Sequence, residues 1–78
     1  MKTTRYFDAT RQRIDRAHIE LQWIKYVIMH PQREEIQLDG RIKRWAPIAA
    51  AENRTLRVVL LPDGETVHNA FFDRSFKA

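Results

Sequence analysis

Two periodicities divide the chain. Across "RQRIDRAHIELQWIKYVIMHP", residues 11 to 31, the apolar positions Ile14, Ala17, Leu21, Ile24 and Ile28 recur at three- and four-residue spacing, which marks one buried stripe along a helix. Trp23, Val27 and Met29 widen that stripe. Pro31 stops it, because proline disfavours helical dihedrals at His30 and has no backbone N–H to donate. Asp8 and Thr10 are both candidate caps for the start, and a break near His18 and Ile19 would turn one helix into two short ones.

Beyond Pro31 the pattern changes to alternation punctuated by two Asp-Gly pairs, Asp39-Gly40 and Asp63-Gly64, each set between β-forming residues as in a hairpin. The predicted strands run from Glu34 to Leu38, Arg41 to Ile48, Thr55 to Leu61 and Glu65 to Phe72. "APIAAAENR" is the one longer connection, and residues Thr3 to Phe7 are a candidate short edge strand. With no internal repeat and no linker composition, residues 1–78 read as a single domain. The fold class is α+β: two N-terminal helices, or one broken helix, packed on a four-stranded antiparallel sheet.

Alternation also assigns faces. A two-residue turn at Asp63-Gly64 sets Leu60 opposite Val67, Val58 opposite Asn69 and Leu56 opposite Phe71, a mostly apolar face for the helices. Leu21, Ile24, Ile28, Val58, Leu60 and Phe71 are then expected to share one core, and the Asn69 amide must find partners inside it. His68 and Arg57 fall on the other face. At the first hairpin a two-residue turn pairs Leu38 with Arg41, and a three-residue loop with a glycine bulge pairs it with Ile42. In both registers Arg41, Lys43 and Trp45 share a side, and if Ile42 faces the core they join His68 on a basic, aromatic surface.

Composition narrows the chemistry. Lys and Arg number 14 against 10 Asp and Glu, for a formal charge of +4 and a pI near 10.0. Ten of the basic residues are Arg, whose planar fork suits phosphate and carboxylate. The absence of cysteine removes disulfides and thiolate metal sites, and His18, His30 and His68 lack the spacing of metal ligands. No metal or cofactor is expected. Both glycines belong to turns, so no glycine-rich phosphate cradle remains, and the lone Ser75 lacks a nucleophile-elbow context. "MKTTRYFDATRQR" has no signal-peptide h-region, and no stretch approaches the roughly 18 apolar residues of a membrane span. The expected setting is soluble and cytoplasmic, with no membrane contact.

What remains suits phosphodiester binding or chemistry. Arg and Lys hold a phosphate and stabilise its developing charge, and an imidazole with an unperturbed pKa of about 6.5 serves as acid or base. Trp45 and Phe72 are candidates for stacking on an unpaired base. The plain alternatives are a structural strand histidine at His68, a core or rim aromatic at Trp45, and a solvated tail at Arg74 and Lys77.

In the order of its parts the chain resembles the small RelE-like toxins, in particular the BrnT-like branch and an allied family of unknown function. The resemblance is carried by "RYF", a helix ending in "RAHI", "ELQWIKYVIMHP", "DGRIKRW", "LRVVLLPDGETV" and the terminal "HNAFFDRSF", nearly the whole chain. It implies the toxin of a toxin–antitoxin pair, a metal-independent endoribonuclease that binds RNA on its exposed sheet face and is neutralised by a cognate antitoxin protein. By position, His68 and Arg74 match the place of reactive residues, and Arg57 and Lys43 that of phosphate contacts; Arg41, Trp45 and Lys77 complete the expected RNA-binding set. Where relatives often carry a histidine soon after the first aromatic, this chain has Asp8, Ala9 and Thr10. Two other classes fit the same face: a non-catalytic module that binds nucleic acid or protein, and an inactive subunit that serves only to form a homodimer.

Overall fold

Helix formation begins earlier than the apolar stripe suggests. In the computed structural model, which describes residues 1–13 and 18–77, helix α1 spans Arg5–Thr10 and helix α2 spans Leu21–Met29. The expected helical positions Ile14 and Ala17 lie outside the described residues. Thr4 caps α1, its Oγ1 accepting from the Phe7 N–H at 3.1 Å. The candidate caps sit elsewhere: Asp8 lies in the first turn, where its charge complements the helix dipole, and Thr10 is buried with its hydroxyl donating to the Phe7 carbonyl at 3.1 Å. Edge pairing therefore stops before Arg5. Only a parallel bridge from Thr3 to Val67 survives of the expected N-terminal strand, held by the Thr4 N–H on the Val67 carbonyl and the Val67 N–H on the Lys2 carbonyl.

Helix α2 turns Ile24 and Val27 inward, and both are fully buried. At 3.6 residues per turn, Trp23 and Ile28 lie about 70° to either side of the line between them and Leu21 about 90° away. That explains a correction to the expected core: Trp23 and Ile28 are half-buried, but Leu21 is exposed. Met29, about 170° away, faces solvent. The helix ends as Pro31 requires, with His30 at φ −133° and ψ 56°.

Four strands, β1 (Arg33–Ile36), β2 (Ile42–Ile48), β3 (Arg54–Leu60) and β4 (Val67–Phe72), form one antiparallel sheet in the order β1-β2-β3-β4. The α+β class is as expected. Leu56, Val58, Leu60 and Val67 on the sheet meet Ile24 and Val27 of α2 and Phe7 of α1. Pro47 is tolerated inside a central strand because β1 has already ended: the pairing of β1 with β2 stops at Arg33 opposite Trp45, so the missing N–H faces no partner strand.

Both Asp-Gly pairs sit in hairpin loops, but the details differ from the simplest registers. At the first, Gln37 pairs with Arg41 and the loop is Leu38-Asp39-Gly40, a three-residue loop lying one position earlier than expected. Leu38 is consequently at the fully exposed tip rather than opposite Ile42. Gly40 has φ +89°, and a Cβ there would stand 3.1 Å from the Pro62 side chain, so any other residue is strained in its backbone and needs the proline ring to yield by a few tenths of an ångström. At the second, the Asp63 carboxylate accepts from the Thr66 hydroxyl at 2.6 Å and from the Thr66 and Glu65 N–H groups at 2.9 Å. These bonds, the Thr66 hydroxyl foremost, lower its pKa to about 2.

The second hairpin carries the main departure. Leu60 does pair with Val67, but the next pair is Val59 with Asn69, so β4 holds one extra residue, His68, against β3. Every later partner is displaced. Ala70 rather than Asn69 opposes Val58, and Phe72 rather than Phe71 opposes Leu56. Ala70 joins the core, Phe72 packs against it, and the expected burial of Phe71 and Asn69 on the helical side is overturned.

Candidate functional site

The face of the sheet away from the helices carries Arg33 and Glu35 from β1, Lys43 and Trp45 from β2, Arg57 and Val59 from β3, and His68, Asn69 and Phe71 from β4. Two events divide this surface. The C-terminal tail covers one part of it, and the extra residue in β4 opens a recess in another.

The tail is fastened at Asp73. Its N–H donates to the Thr55 carbonyl, its Oδ1 accepts from the Ser75 hydroxyl at 2.7 Å, and its Oδ2 accepts from Trp45 Nε1 at 2.9 Å. These bonds, with the Arg57 guanidinium 3.8 Å away, hold the Asp73 carboxyl below its ordinary pKa. Phe76 then stacks on Trp45 with ring centroids 5.5 Å apart, while Arg33 and Arg57 lie over the same indole at 5.9 and 5.6 Å. Trp45 is 4% exposed. The expectation that it stacks on a base is therefore corrected: its ring is already covered from within the chain.

The recess, a cavity of about 360 Å³, is lined by Tyr6, Gln37, Arg41, Arg57, His68 and Asn69, with Val59 and Phe71 as its apolar floor. His68 sits where β4 bulges, half-buried, with Nδ1 3.0 Å from Thr4 Oγ1 and its ring stacked on Tyr6 at 4.8 Å. Thr4 thus does two things: it caps α1 through Phe7 and holds the imidazole. Among the described residues this leaves Nε2 as the ring nitrogen without a hydrogen bond. Burial, and then the positive charge of Arg41, push the His68 pKa below its usual value, so the ring is neutral at pH 7. Arg41 is itself 3.7 Å from Asp39, and Arg57 lies over the Phe71 ring at 5.1 Å. A neutral imidazole beside two guanidiniums can accept a proton while an adjacent anion is held. Replacing Thr4 by Ala removes the cap and is expected to cost about 1 kcal/mol in urea unfolding.

Of the residues singled out by sequence, the recess gathers His68, Arg41 and Arg57. Lys43 is on the same face but stands opposite Glu35, which dilutes its charge. Arg74 is not brought to His68. It lines a different cavity of about 570 Å³ at the far end of β4, with His18, Arg54, Thr55, Phe72 and Phe76 among its walls. Lys77 is exposed beyond the tail.

Tyr6, Gln37 and Arg54 were not marked by sequence. Tyr6 belongs to a helix whose start depends on a threonine cap, and Gln37 enters only through the loop register. Arg54 lies in the connection that alternation left irregular. Among the described residues no group of His, Asp and Glu is placed to hold a metal ion, and no helix is long and apolar enough to cross a membrane. No protein-family model, curated protein or solved structure matches this chain.

Proposed function

We propose that this chain is a cytoplasmic toxin of a toxin–antitoxin pair on the RelE-like plan, an endoribonuclease that works without a metal and is neutralised by an antitoxin laid over its open face. The observation that carries this reading is the recess that a neutral imidazole lines together with Arg41 and Arg57. Arg41 and Arg57 hold the scissile phosphate of an RNA strand. His68 Nε2 takes the proton of the adjacent 2′-hydroxyl as that oxygen bonds to phosphorus. The bond from phosphorus to the 5′-oxygen breaks, solvent protonates the departing oxygen, and a 2′,3′-cyclic phosphate remains. Lys43 adds positive charge along the same face.

A phosphate-binding module without catalysis is the second reading, supported by the separation of Arg74 from His68 into different cavities. Incubating purified protein with single-stranded RNA in excess EDTA distinguishes them. The expected result is chelator-resistant cleavage leaving cyclic phosphate termini. RNA that is bound but recovered intact selects the non-catalytic reading instead.

A further inference from the structure

The larger cavity at the end of β4 has no part in the chemistry above, yet its walls are those of a nucleic-acid contact. Arg54 lies over the Phe72 ring with its guanidinium carbon 4.2 Å from the centroid, and its Nε donates to the Ala51 carbonyl at 3.1 Å. Its position is thereby fixed at the wall of the cavity it lines. His18 stacks on Phe72 with centroids 6.0 Å apart and an interplanar angle of 15°. Arg74 is exposed on the rim, with no ion pair among the described residues. Among the described residues the one carboxylate in the wall, Asp73, is engaged by Trp45, Ser75 and Arg57, which leaves Arg54 and Arg74 as the charged groups there.

Phe71 connects the two sites, since it lines both this cavity and the His68 recess. β4 ends at Phe72, four positions beyond His68, which at ~3.3 Å per residue is roughly 13 Å of strand, and Arg74 sits in the turn that follows. Phe71 and Phe72 point to opposite faces of the sheet and their rings are taken by Arg57 and by Arg54, His18 and Trp23, so what the cavity offers a nucleic acid is its guanidiniums, which hold phosphates.

We infer that the second cavity is a distal phosphate subsite for the same single-stranded RNA, the strand passing from the His68 recess past Phe71 and around the end of β4 to a phosphate held by Arg54 and Arg74. The inference rests on the reading that the recess binds RNA, and it gives Arg74 a binding role at a distance from the bond that breaks.

The test uses 2′-O-methyl oligouridylates, which keep the phosphates and rings but have no free 2′-hydroxyl, in fluorescence anisotropy with the full chain. A hexanucleotide is expected to bind at least about tenfold more tightly than a dinucleotide, since the shorter probe reaches one site only. Arg74→Ala, at an exposed position that leaves the fold intact, should weaken the hexanucleotide about five- to tenfold and lower its salt slope by about 0.7, with the dinucleotide unchanged. Arg54→Ala should act in the same direction. A length advantage that survives both substitutions overturns the subsite. Cleavage of natural RNA without any length dependence removes the subsite and leaves the catalytic reading standing. Length-dependent binding without cleavage does the reverse, and failure to bind either probe overturns both.

Discussion

His68→Ala should cleave RNA on the order of 10² to 10⁴ more slowly than the parent chain while unfolding at nearly the same temperature. The size of the loss follows from the role: a positioned proton acceptor is removed, while Arg41 and Arg57 remain to bind phosphate. Retained folding follows from where the side chain lies, on the open face and outside the apolar core. Binding of an uncleavable RNA analogue should change little. Rate and thermal unfolding must be measured on the same preparations, because full activity in a folded variant leaves His68 a structural residue of the strand.

The pH profile gives a second signature of the same group. Burial and Arg41 lower the pKa of His68 in the folded protein below the ~6.5 of the unfolded chain. Between those two values the unfolded state binds more protons, so stability from this group is complete above about 6.5 and is lost as pH falls through the folded pKa. In His68→Ala that increment of acid sensitivity should disappear from urea unfolding measured across the window. The cleavage rate should likewise hold as pH drops past 6.5 and decline only below it, since the free base persists longer than in an exposed histidine.

Leu60→Ala should cost about 2 to 5 kcal/mol, which for a domain of this size lowers Tm by at least about 8 °C. Leu60 is wholly buried between Ile42 and Val67 on the helical side of the sheet, so its truncation leaves a cavity that neighbouring strands cannot close without moving. Leu21→Ala, at an exposed position of α2, should cost less than about 1 kcal/mol. Equal losses at the two sites would mean that the buried face is wrongly assigned, and urea unfolding of the pair reads this directly.

Helix α2 and the four strands were legible in the chain because each was encoded more than once, whereas α1 was not, since Arg5–Thr10 is helical where Thr3 to Phe7 read as a candidate edge strand. Pro31 closes α2 where the apolar stripe also ends, and both Asp-Gly pairs lie between runs of strand formers. Faces were legible only where the period ran uninterrupted. In β2 and β3 the alternation places Arg44 inward, where it reaches the Ile28 carbonyl at 3.2 Å, and Lys43 and Arg57 outward. In β4 the same arithmetic failed after Val67, because a one-residue bulge has no strong compositional mark and reverses every later side chain. The candidate site suffered in the same way. Arg41 and Arg57 avoid the irregularity and His68 is the inserted residue itself, ahead of every displaced position, so the three were placed together, whereas the cover over Trp45 depends on a tail folding back through Asp73, a long-range event that local pattern does not contain.

That bulge has a consequence for how the protein tolerates change. Removing one residue from the middle of a strand ordinarily turns its buried side chains to solvent, yet here Leu60 opposite Val67 and Val59 opposite Asn69 would become consecutive rungs of an uninterrupted ladder if His68 were deleted. A chain one residue shorter would therefore keep each of its other pairings on β3. The imidazole occupies a position that the sheet does not need for its own continuity, so this site can be altered, or lost altogether, by a lineage that keeps the fold.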